Sequence, residues 1–75
     1  MITPAQCLEA RKLLKWSRDR LAPRSEMPAE RLRLFEIGQR DLPPEELDAI
    51  RRALESGGIE FANGSEPGVR LKALE

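Results

Sequence analysis

Pro23 and Pro28 stand inside the stretch WSRDRLAPRSEMPAERLRLFEIG, Trp16 to Gly38, whose apolar residues otherwise recur at helical spacing. Each proline lacks a backbone donor and disfavours helical dihedrals at the residue before it, so no continuous helix runs through both. Two short helices joined by a tight turn remain. Ser17 offers an N-cap for the first, with Leu21 and Ala22 as its inward residues, and Pro23 makes it short or distorted. Pro23 to Met27 form the expected turn, with Met27 as its buried anchor. Pro28 can open the second helix, because the first amides of a helix have no internal partners. Leu32 and Phe35 or Glu36 then share one face, Arg31, Arg33 and Leu34 project elsewhere, and Gly38 ends the helix.

The flanks carry their own signals. Thr3-Pro4-Ala5-Gln6 has the form of a capping box with proline at the first helical position. Cys7, Ala10, Leu13 and Leu14 follow as an apolar stripe, and that helix should end near Lys15. Trp16, the only tryptophan, falls in the joint, where packing between helices suits the area an indole buries better than stacking on a base. A further helix is expected from about Pro44 to Glu55, with Leu47, Ile50, Ala53 and Leu54 inward and acids in its first turn, where the helix dipole favours them. Ile59-Glu60-Phe61 and Val69-Arg70-Leu71 alternate instead, around Asn63-Gly64-Ser65-Glu66-Pro67-Gly68, which suggests a β-hairpin or a strand that pairs elsewhere. The expected organisation is a helical domain over residues 1–58 and a C-terminal β segment and tail over 59–75.

Composition excludes several functions. Seventy-five residues with one cysteine and no histidine leave no internal disulfide, no common zinc spacing and no Cys/His nucleophile pair. There is no phosphate-binding glycine loop and no acidic pair at catalytic spacing, so neither an enzyme nor a cofactor is expected. No apolar run approaches the roughly 18 residues of a membrane span and no signal peptide opens the chain, so a cytoplasmic bacterial-type protein without membrane association is the expectation. The net charge of zero hides an uneven distribution. Residues 15–40 carry seven bases against four acids, and residues 41–75 eight acids against four bases. One face turned to a polyanion would use such a division, and so would a set of solvated ion pairs.

Arg11, Trp16-Ser17, Leu21-Ala22, Leu32, Phe35-Glu36 and Gly38, in this order and spacing, resemble the phage-repressor or Xre-type helix-turn-helix family. The resemblance covers residues 3 to about 55. The ending Gly57-Gly58-Ile59-Glu60-Phe61, then Gly68-Val69-Arg70-Leu71, resembles short bacterial regulators of that family. The fold so implied is mainly α: a repressor-like bundle of four to five helices with a short C-terminal β-hairpin or strand pair. The resemblance implies a structural ion pair between Arg11 and Glu36, within a framework that includes Trp16 and Phe35. It also implies double-stranded DNA as partner. Ser17 and Arg18 would meet phosphate, Ala29, Glu30, Arg31 and Leu34 would face base edges, and Gln39 and Arg40 would return to phosphate. Arg33 would add a further phosphate contact.

This chain departs from the family at two points. Positions 29, 30 and 34 hold none of the usual base readers Arg, Lys, Asn or Gln. Glu26 occupies the turn position where the family favours Gly. Two functions follow. One is a DNA-binding transcriptional regulator, repressor-like, as a monomer or a homodimer. The other is an interaction module on the same fold that lacks sequence-specific DNA binding and docks protein through Met27, Pro28 and Leu34. They differ in whether Arg18, Arg31, Arg33 and Arg40 converge on one face or are tied to Glu26, Glu30 and Asp41. The hairpin leaves a second pair of alternatives: joining two chains as a homodimer, or folding back on its own helices.

Overall fold

A computed structural model describes residues 2–62 and 68–71. Helices α1 (Pro4–Leu14), α2 (Arg18–Arg24), α3 (Ala29–Glu36) and α4 (Pro44–Ser56) are followed by strands β1 (Ile59–Ala62) and β2 (Gly68–Leu71). This is the mainly helical bundle with a C-terminal hairpin that the patterning predicts, with four helices among the described residues.

Local chemistry sets most boundaries. The Thr3 hydroxyl accepts from the Gln6 amide at 3.1 Å and the Gln6 side chain accepts from the Thr3 amide at 2.9 Å, closing the capping box. Lys15 takes the left-handed conformation at φ 58°, and the Trp16 amide donates back to the Arg11 carbonyl at 2.9 Å. That reversal brings the chain to Ser17, whose hydroxyl accepts from the Arg20 amide and starts α2.

Three expectations need correction. Pro23 lies inside α2, and the helix continues through Arg24. The missing donor falls in the last turn on the exposed side, where water can serve the carbonyl it leaves unpaired. The turn is therefore residues 25–28. Ser25 is buried there and its hydroxyl donates to the Leu21 carbonyl at 3.0 Å. Pro28 does not belong to α3: at ψ 145° it is extended and acts as the N-cap, its carbonyl accepting from the Arg31 and Leu32 amides. Leu13 does not join the buried stripe and is 38% exposed. The inward positions of α1 are Cys7, Ala10 and Arg11, with Leu14 packed against the core. Their spacing of three, four and seven residues holds one helical face, and Leu13 lies off it.

The core joins all elements. Cys7, Ala10, Leu21, Leu32, Ile50 and Leu54 have no exposed surface, and Met27 anchors the turn as expected. The Trp16 indole is half-buried and lies over Gly57, where an added Cβ would come within 2.7 Å of the ring. The Arg24 guanidinium lies over the same ring, 4.8 Å from its centroid. The strands pair antiparallel with Ile59 opposite Leu71 and Phe61 opposite Val69. β1 packs on α4 and β2 on α1, so the hairpin folds back on its own helices. The expected loop falls largely on residues 63–67, outside those described. Among the described residues, no helix is long and apolar enough to cross a membrane.

Candidate nucleic-acid interface

Glu36 ends α3 pointing inward, and its side chain is 2% exposed. Four donors converge on it. Arg11 grips both oxygens, Nε to Oε2 at 2.6 Å and Nη2 to Oε1 at 2.7 Å. Arg18 adds Nε to Oε1 at 2.9 Å, and the Cys7 thiol donates to Oε2 at 3.2 Å. The remaining Arg11 nitrogen, Nη1, donates to the Trp16 carbonyl at 2.9 Å. Burial opposes ionisation of Glu36, but the hydrogen bonds from Arg11, Arg18 and Cys7 outweigh it and hold its pKa below the ordinary carboxylate value. Burial, then the Glu36 charge, pushes the Cys7 thiol well above its ordinary value. The thiol is a buried, protonated donor. The Arg11–Glu36 pair is thus present, and Arg18 joins it.

That third partner shapes the surface. Among the described residues Arg18 is bound through Nε alone, which leaves both its terminal nitrogens for an incoming acceptor. They sit beside a groove of about 510 Å³, lined by Ser17, Arg18 and Asp19 from the start of α2 and Ala29, Glu30 and Arg33 from α3. Five residues assigned to DNA contact from sequence therefore share one groove: Ser17, Arg18, Ala29, Glu30 and Arg33. Arg33 does not enter it alone, since its Nε and Nη2 donate to the Glu30 carboxylate at 2.9 and 2.7 Å. This fork holds the Glu30 pKa down, chiefly through the Arg33 hydrogen bonds.

The other assigned residues lie apart. Arg31 leaves the first groove and lines a second, of about 350 Å³, with Met27, Pro28 and Ala49. There its Nε and Nη2 donate to the two oxygens of Glu46, at 2.6 and 3.1 Å. Leu34 is half-buried, and Gln39 and Arg40 are exposed beyond α3; none lines either groove. Among the described residues Arg40 forms no ion pair, and of the expected acidic partners only Glu30 holds an arginine. Glu36 and Glu46 hold the others. Sequence reasoning missed Glu46 because it read as an acid complementing the α4 dipole. Its partner stands 15 residues away, so no local spacing could reveal it.

The turn between α2 and α3 has the geometry that glycine would suit. Glu26 sits at φ 56°, in the left-handed region, at the position where the resemblance leads one to expect Gly. A side chain there costs about 1–2 kcal/mol relative to unstrained backbone. The α2–α3 unit makes this bend with a glutamate at the left-handed position. No protein-family model and no curated protein matches this chain.

Proposed function

We propose that this chain is a bacterial DNA-binding transcriptional regulator of the repressor-like helix-turn-helix type, acting in the cytoplasm and without catalytic activity. The observation that carries the reading is the shared groove. The N-terminal ends of α2 and α3 meet there, presenting the Ser17 hydroxyl, the Arg18 terminal nitrogens and the outer side of α3 together. Two helices joined by a left-handed turn, with the second exposing its first residues, are the arrangement that places a helix in a major groove while the first meets backbone. In this reading Ser17, Arg18 and Arg40 contact phosphate. Ala29 meets a thymine methyl, Glu30 accepts from a cytosine amino group, and Arg31 reads guanine or phosphate once released from Glu46.

Titration into genomic DNA fragments at low and moderate salt, with sequencing of the retained pool, tests this. Enrichment of a two-fold repeated site supports the regulator. Salt-sensitive retention without enrichment reduces it to a backbone binder. No retention at low salt defeats the reading.

The runner-up is a protein-interaction module, and the pairing of Arg31 and Arg33 with carboxylates favours it. Its docking patch is smaller than sequence suggests, because Met27 is buried and Leu34 half-buried. A homodimer through the hairpin belongs to either reading. Leu71 is 49% exposed at the end of β2 and offers apolar surface for a second copy. Sedimentation over a range of concentrations tests it, and a monomer at high concentration removes it.

A further inference from the structure

We propose that Glu46 is an intramolecular competitor for the recognition arginine: its carboxylate holds Arg31 in the DNA-free protein and is displaced when α3 docks. This rests on the DNA-binding reading above and assigns that surface a built-in restraint. Arg31 donates through Nε and Nη2 to the two Glu46 oxygens. A guanidinium uses such a pair of parallel donors to grip a phosphate, or the O6 and N7 atoms of guanine. Glu46 thus takes two of the guanidinium's five N–H donors, and a nucleic-acid acceptor that grips this edge must displace it.

The surroundings of the pair suit exchange. Arg31 and Glu46 side chains are 30% and 31% exposed, so water and incoming ligands reach them. Glu46 belongs to the first turn of α4, so the pair ties the recognition helix to another element. The Glu30–Arg33 fork, by contrast, spans three residues within α3 and travels with that helix. Displacing Glu46 exposes a carboxylate beside Glu45, in a groove also lined by Glu26. Arg31 thus leaves an acidic wall that repels phosphate from the α4 side of α3.

Anisotropy of a short fluorescent duplex of mixed sequence, at low and moderate salt, tests the restraint in the intact chain. The variants are Glu46→Gln, Glu45→Gln, Arg31→Gln and the Glu46→Gln/Arg31→Gln double. Glu45→Gln removes the same charge one residue away. Glu46→Gln is expected to tighten binding about three- to fivefold, the scale of a partly exposed ion pair. Glu45→Gln should give a smaller gain, and the Glu46→Gln gain should fall to that level in the Arg31→Gln background. Equal gains from the two glutamate variants overturn the inference, leaving only bulk charge. Weaker binding by Glu46→Gln overturns it in the other direction, making Glu46 a positioning residue. Binding by the unaltered chain without an Arg31-dependent gain defeats this inference alone. If neither the unaltered chain nor any variant binds the duplex at low salt, the DNA-binding reading falls and the restraint falls with it. A parent that stays silent at low salt defeats the DNA-binding reading and the restraint with it, even where Glu46→Gln binds.

Discussion

Glu36 and Glu46 each hold an arginine with both oxygens, and the shortest contact in each pair is 2.6 Å. Their surroundings differ. Glu36 is 2% exposed with Arg11, Arg18 and Cys7 around it, whereas Glu46 is 31% exposed and holds Arg31 alone. The first pair joins α1, α2 and α3 under a cover of side chains. The second bridges α3 and α4 in the open. Similar geometry thus serves different ends, because desolvation decides what breaking a pair costs. Removing one partner of a buried pair strands the other charge without water, while an exposed arginine simply rehydrates.

Glu36→Ala should show the largest effect. With Arg11 left buried and unpaired, a loss of about 3–5 kcal/mol is expected by urea denaturation. A loss under about 1 kcal/mol would erase the contrast with Glu46. Trp16→Ala comes next. The indole is half-buried rather than fully enclosed, so about 3 kcal/mol is expected, at the low end for truncating a large aromatic. The same denaturation curves check it. A fully stable Trp16→Ala that has lost DNA binding would overturn the packing role given to this residue.

Acid should expose the Glu36 cluster without mutating the arginines. The folded-state pKa of Glu36 lies below its ordinary value, so the unfolded chain takes up the proton at higher pH than the folded chain. Its contribution is complete above the ordinary carboxylate range and is lost as pH falls through the depressed folded value. Denaturation midpoints of the parent should therefore drop more steeply with acid than those of Glu36→Gln. Parallel profiles would refute the assignment.

Arg18→Ala removes one donor of the buried cluster from its solvent side, where the side chain is 38% exposed. About 1 kcal/mol of stability should go, measured in urea, because Arg11 still neutralises Glu36. Its effect on DNA retention should exceed its effect on folding. Glu46→Ala should be the mildest, between zero and about 1 kcal/mol. A larger loss would make the exposed pair a structural tie and bring the two glutamates together.

Legibility divides along the same line. The Thr3–Gln6 capping box, the Ser17 cap and the positive φ of Gly38 follow from residues within one turn of each other. Such features could be anticipated because the interacting groups are neighbours in the chain. Pro23 misled because its cost depends on which side of a helix it falls, and α2 turns it outward. Leu13 misled because an apolar run around Ala10 can be placed on more than one helical face. Arg11 takes the inward position that an apolar residue would fill, and only Glu36, 25 residues away, makes that tolerable.

The order of the helices, the Thr3 and Ser17 caps and the alternating ending were determined by the sequence alone. They depend on dihedral preferences and on spacing along a single segment. Which carboxylate holds Arg18 and Arg31, and on which side of α3, was decided only by the tertiary structure. Those pairings join residues 15 and 18 positions apart. Their strength depends on how much water the surrounding helices exclude, a quantity no local pattern contains.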